Sequence, residues 1–243
     1  MYTPKNVYTS ALIKDDRPYA GWLNFEYALH QSSAQELNSL ILQVGVVGEI
    51  SGAEQTQKLI HKLIGNDEPQ GWGNQLNNEL GINLTYQHKW RYVTKNYNGF
   101  EGNFVPFVEA NLGNINTSAG GGILMRFGKS PIQDFGSSSI DMGGENGIPI
   151  RTNCLCPQYE PWSFTLNFSL AANAVARDIF LDGNTFSKSH SVDKENFLLY
   201  GSYGFSARYE HYALDYIVTM TTKHFKEEDS GHDFGTVLFS YLY

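Results

Sequence analysis

The stretch GAEQTQKLIHKLIGNDEPQGW, residues 52–72, places a carboxamide and an imidazole four positions apart at Gln57 and His61, so that on a helix the two side chains are neighbours. Imidazole is the side chain that exchanges a proton near neutral pH, and a carboxamide beside it can position a polar substrate. Proton exchange near neutral pH is the chemistry such a pair could serve. The same residue types also suit a solvated helix face, and by type and spacing alone both readings stay open. The other candidates are Cys154 and Cys156. They are too close in sequence for an ordinary disulfide staple and lack the further ligands of a zinc site, so they read as incidental loop thiols.

The element that must carry His61 is a helix over 53–64. Leu59, Ile60, Leu63 and Ile64 form one stripe at helical spacing, Gly65 supplies a stop, and Glu54, Gln57, Lys58 and His61 occupy the other side. The stripe predicts a short amphipathic helix packed on the body of the fold. That body is all-β. In WLNFEYALH (22–30), Leu23, Phe25, Tyr27 and Leu29 alternate with Asn24, Glu26, Ala28 and His30. In SFTLNFSLAAN, Phe164, Leu166, Phe168 and Leu170 oppose Thr165, Asn167, Ser169 and Ala171, and in HYALDYIVTM, Tyr212, Leu214, Tyr216, Val218 and Met220 share a face. The stretches 96–103, 134–149 and 226–233 are rich in Gly, Ser, Asn and Asp and read as turns or surface loops between strands.

A chain with 14% aromatic but only 17% charged residues suits β-structure. Its net charge of −8, with no run of Lys and Arg, excludes nucleic acid as a partner. No apolar run reaches the ~18 residues of a membrane-crossing helix, and MYTPKNVYTS lacks the pattern of a signal peptide. A soluble sandwich or a lipocalin-like binding protein would alternate in the same way. The last residues discriminate. In GTVLFSYLY, Val237, Phe239, Tyr241 and Tyr243 form an aromatic and apolar face running to the chain end, an edge that a soluble domain would leave open to aggregation. Outer-membrane barrels end in this way, with the last strand zipped against the first. The expectation is a single antiparallel transmembrane β-barrel domain over residues 1–243, in the outer membrane of a Gram-negative bacterium.

Three segments carry a resemblance: DRPYAGW (16–22), VVGEISGAEQTQKLIHKLIGNDEPQGWGNQL (46–76) and ARDIFLDGNTF (176–186). Together they resemble the lipid A deacylase family, outer-membrane β-barrel hydrolases of about twelve strands that remove the 3′-linked acyloxyacyl group from lipid A. The resemblance runs from near residue 2 to Tyr243 and is most specific from the helix through DEPQGW. It implies that the helix belongs to an extracellular loop and helps form an active site against the barrel wall. His61 is then the base that activates water for attack on an ester carbonyl, and Gln57 lies beside the substrate. Asp67 or Glu68 takes the family's acidic position after the helix, with the spacing from His61 to Trp72 favouring Asp67. The resemblance also implies a calcium ion, with Glu68 as a candidate ligand, polarising the carbonyl and stabilising its oxyanion. Lipid A, as part of lipopolysaccharide, and the outer membrane are the implied partners.

Asp16 and Arg17, like the Asp-Gly of FLDGN, read as turn chemistry, with contact from Arg17 to lipid A phosphates as the alternative. The family's opening strands, which bear an Asn-Asp pair and a Ser or Thr motif, have no counterpart ahead of MYTP. The resemblance therefore implies a barrel without its first strands and without part of its calcium site. The competing reading is a non-catalytic outer-membrane barrel, structural or lipopolysaccharide-binding, that has kept the helix.

Overall fold

The structure, a computed structural model, describes residues 1–94, 97–129, 135–136 and 162–241. Cys154, Cys156, Tyr243 and most of the 134–149 separator lie outside the described residues. Among the described residues ten strands are formed: β1 (Trp22–Ser32), β2 (Glu36–Val47), β3 (Glu79–Trp90), β4 (Tyr92–Val93), β5 (Phe100–Gly113), β6 (Asn116–Lys129), β7 (Trp162–Asp178), β8 (Phe197–Tyr209), β9 (Tyr212–Thr221) and β10 (Asp233–Tyr241). They build one antiparallel sheet in the order β1-β2-β3-β5-β6-β7-β8-β9-β10, with the short β4 paired to β5. Among the described residues β1 pairs with β2 alone and β10 with β9 alone. The sheet is thus an open half-barrel, and the expected seam between first and last strands is not formed within it. With no described strand beyond it, β1 is exposed along almost its whole length.

The alternation is inverted relative to a soluble protein. On β7, Thr165 is 2% exposed while Leu170 is 65% exposed, and the same division runs along β3, where Asn83, Thr85 and Gln87 are buried while Leu80, Ile82 and Leu84 are exposed. A face of Leu, Phe and Tyr turned outward suits hydrocarbon, which forms no hydrogen bonds and so leaves the polar groups to satisfy one another inside. They do so. Gln87 donates from Nε2 to Glu109 Oε2 at 2.9 Å, and Asn111 donates from Nδ2 to Glu109 Oε1 at 3.0 Å. Thr85 in turn donates its hydroxyl to Asn111 Oδ1.

The two ends of the sheet differ. At one end the outer face carries an aromatic belt, with Trp162 and Tyr209 ring centroids 4.5 Å apart and Tyr212 against both Phe239 and Tyr241. Such belts mark the water interface of membrane proteins. At the other end lie the chain start, the β2–β3 connection, the β7–β8 connection and the β9–β10 connection. The chain start, the β2–β3 and β7–β8 connections and Ile115, between β5 and β6, share an apolar cluster of Ala20, Val47, Leu76, Ile115, Ile179 and Phe180, with Tyr2 stacked on Phe180 at 3.8 Å. This cluster, at the end of the strands, holds Val47 and Leu76 on either side of the β2–β3 connection that carries His61.

Candidate active site

His61 lies on helix α1 (Ala53–Ile64), the predicted element with the predicted bounds. The helix starts after Gly52, whose carbonyl accepts from Thr56 N and Thr56 Oγ1. It stops at Gly65, whose φ of 75° is left-handed, and Asn66 N donates to His61 O at 2.8 Å in the manner of a Schellman cap. This reversal carries the next residues back over the helix. The consequence is a 2.7 Å hydrogen bond between His61 Nδ1 and the backbone carbonyl of Asp67. A carbonyl only accepts, so Nδ1 carries the proton and donates it, and Nε2 is left as the lone-pair nitrogen. The ring is fixed in the tautomer that a general base needs.

A methyl placed on Gly65 would meet nothing within 4 Å. An alanine there escapes a clash and suffers only the left-handed backbone, at about 1–2 kcal/mol. Gly65→Ala is therefore expected to lower the helix stability by that amount and to weaken the Asp67 contact, seen as faster amide exchange over residues 61–66 with the sheet unaffected.

The segment DEPQGW fastens the helix to the sheet end. Pro69 is fully buried and Trp72 is 2% exposed. Trp72 donates its indole N–H to Gln57 Oε1 at 2.8 Å and packs against Tyr19 with centroids 5.0 Å apart. Gln70 N donates to Val7 O, and the Tyr19 hydroxyl donates to the same carbonyl. Gly71 passes so close to the Tyr19 ring that a methyl there would come within 2.3 Å of it, a distance no side chain tolerates. Gln57 thus joins helix to loop, a partnership that the spacing to Trp72 did not announce.

The polar side of α1, with Gln57 and His61, faces this loop. The apolar stripe faces away: Leu63 is 76% exposed and Ile64 is 63% exposed, and no residue of the helix is buried. The expectation that the stripe packs on the barrel is overturned, because the loop of residues 66–72 occupies the side of the helix nearest the sheet end.

The carboxylates are placed differently from the imidazole. Asp67 meets His61 through its main chain, and both Asp67 and Glu68 are exposed, Glu68 contributing its carbonyl to Gln70 Nε2. No group of three or more His, Cys, Asp or Glu suited to a metal is found among the described residues. Calcium takes six to eight oxygen ligands, so a single exposed Glu68 beside Asp67 does not amount to a calcium site. The described residues around His61 do not fit the ion.

Behind the loop, DRPYAGW proves structural. Asp16 accepts from Lys5 N and Arg17 N, and Arg17 donates from Nη2 to Glu228 Oε1 at 2.9 Å, both side chains being about nine-tenths buried. Arg17 also lies over the Phe225 ring at 5.3 Å, so its guanidinium is committed to the protein. His232 Nε2 sits 2.6 Å from the same Glu228 oxygen and 3.1 Å from Arg17 Nη2. One nitrogen cannot both donate and accept, and the shorter contact to a carboxylate takes its proton. FLDGN is likewise a turn, in which Gly183 has φ 78° and Asp182 accepts from Lys194 Nζ at 2.8 Å.

His224 is buried beside this cluster. Burial first, then the Arg17 guanidinium, pushes its pKa down to about 4 from the ordinary 6.5. The unfolded chain takes up this proton near pH 6.5 and the folded chain resists until about pH 4. The stability tied to His224 is therefore complete above pH 6.5 and is lost as the pH falls toward 4, by roughly 3 kcal/mol. Melting in detergent at pH 7.5 and at pH 4.5 is expected to show a lower midpoint in acid, and His224→Phe to reduce the difference.

An antiparallel sheet with an apolar exterior, a hydrogen-bonded polar interior and an aromatic belt at one end defines an outer-membrane β-barrel protein. Within that class the chain belongs to the outer membrane protein LpxR family, whose model matches residues 1–243. The fold is similar to that of LpxR from Salmonella typhimurium, with a TM-score of 0.86 and 19% sequence identity, over 100% of this chain and 80% of that one. None of the curated protein sequences matches this one.

Proposed function

We propose that the protein is an outer-membrane hydrolase that removes the 3′-linked acyloxyacyl group from lipid A, with His61 as general base. The observation that carries this reading is the 2.7 Å bond from His61 Nδ1 to Asp67 O, which leaves Nε2 as the proton acceptor. Water bound at Nε2 gives up its proton as its oxygen attacks the ester carbonyl. The tetrahedral adduct collapses with cleavage of the bond to the lipid A oxygen, and His61 returns the proton to that leaving oxygen. The products are an acyloxyacyl acid, which keeps its secondary acyl chain, and lipid A with a free hydroxyl at the 3′ position. Asp67 keeps the ring oriented through its carbonyl, and Gln57 keeps the helix seated through Trp72.

The sequence resemblance over 46–76 supports the substrate, and the family membership supports the location. The test is mass spectrometry of lipid A incubated with the purified protein, which should show loss of the acyloxyacyl mass together with release of the corresponding acid. Retained binding of lipid A with no acyl release would favour the non-catalytic barrel. Calcium belongs to this proposal only as an addition to be titrated: activity unchanged by a calcium chelator would remove it, along with the role of Glu68.

A further inference from the structure

We propose that the apolar face of α1 is seated in the outer leaflet of the membrane, so that the helix lies at the lipid surface and presents His61 from its protein-facing side. The inference rests on the outer-membrane location and not on the hydrolytic reading. It starts from the rule the strands obey, in which polar side chains turn toward protein and apolar ones turn outward to lipid. Helix α1 obeys the same rule. Gln57 and His61 are engaged by Trp72 and Asp67, and Leu59 and Leu63, two residues either side of His61, project from the opposite side at about 100° per residue. Ile60 and Ile64 widen that exposed face.

The apolar surface is continuous along the chain with the lipid face of the sheet. Leu40, Leu42 and Val44 are exposed on the outer side of β2, Ile50 is exposed in the turn that follows, and α1 begins three residues later. Ala53 is held against the base of β1, where a methyl on Gly21 would come within 2.5 Å of its Cβ. The helix root is therefore fixed at the rim of the barrel wall. In water a stripe of four exposed aliphatic side chains on a twelve-residue helix would be an aggregation hazard. At a bilayer surface it is an interfacial anchor, roughly 5–10 Å deep, with Lys62 on the flank suited to anionic headgroups while Lys58 is paired with Glu54 at 2.7 Å.

The test uses the full chain with Cys154→Ser and Cys156→Ser, reconstituted in bilayers of phosphatidylethanolamine, phosphatidylglycerol and lipid A. A nitroxide is attached at a single cysteine replacing Ile60, Leu63, Lys62 or Leu170, and its collision with oxygen and with a water-soluble nickel chelate is measured. Labels at 60 and 63 should resemble the label at 170 on the outer face of β7, with an oxygen-to-nickel ratio several-fold above that at 62. Equal ratios at 60, 62 and 63 would overturn the proposal. Folding of each labelled chain is read from its heat-dependent mobility on a gel, and the two test positions decide independently. The readout needs no catalysis, so it stands or falls separately from the deacylase reading.

Discussion

His61→Asn is expected to slow acyl release from lipid A by about 10²–10⁴-fold, the usual worth of a general base, with little change in stability. The asparagine side chain places an N–H close to where Nδ1 stood, so the bond to Asp67 O can be kept. What it lacks is any basic atom in place of Nε2. The partially exposed position carries no large packing burden, so the loss is chemical. His61→Gln tests the complement, reaching toward the Nε2 position with an amide that cannot take a proton, and is expected to be equally slow. Mass spectrometry of the released acid over time measures both, alongside gel mobility of the folded protein. Wild-type rates in either variant would remove His61 from the mechanism.

Trp72→Ala is expected to have the largest effect on stability. The side chain is almost wholly buried, packs on Tyr19 and donates to Gln57, and truncation of such a residue costs about 3–5 kcal/mol. Loss of the indole hydrogen bond alone, as in Trp72→Phe, leaves Gln57 Oε1 without its donor at about 1–3 kcal/mol. Packing is thus the greater part. The loss falls locally, because Trp72 ties α1 to the sheet end without taking part in the strand ladder. Limited proteolysis should cut Trp72→Ala between residues 53 and 70 while the strands stay protected, and acyl release should fall with it. A protease pattern like wild type would show that the loop is held by other contacts.

The strands were legible because two periods coincide. Phe164, Leu166 and Phe168 against Thr165, Asn167 and Ser169 show a side-chain alternation that only a strand converts into two faces, and the structure places them so. The bounds of α1 were legible for a similar reason, with Gly52 and Gly65 bracketing an uninterrupted helical stripe. What misled was the assumption that a stripe must be covered by protein. That holds in water, and the direction in which Leu63 points depends on the solvent outside rather than on its own spacing. Asp67 was visible as a carboxylate, yet it reaches His61 with a carbonyl that every residue possesses, so no residue type could signal it. The Gln57–Trp72 pair was hidden because its partners meet only after the chain reverses at Gly65. The lack of a β1–β10 seam among the described residues depends on pairing between strands far apart in sequence, which alternation within each strand does not specify.

The hydrogen-bonded interior of Gln87, Glu109, Asn111 and Thr85 has a thermal consequence. Heat capacity rises when apolar surface is exposed to water and falls when polar surface is. In a soluble domain unfolding uncovers an apolar core; here it uncovers amides, hydroxyls and a carboxylate alongside the buried apolar clusters, while the aliphatic exterior is already in contact with lipid or detergent. The heat-capacity increment should then lie well below the usual ~12–15 cal/mol/K per residue. A small increment flattens the dependence of stability on temperature, so the half-barrel is expected to keep nearly the same margin from the cold to near its melting point.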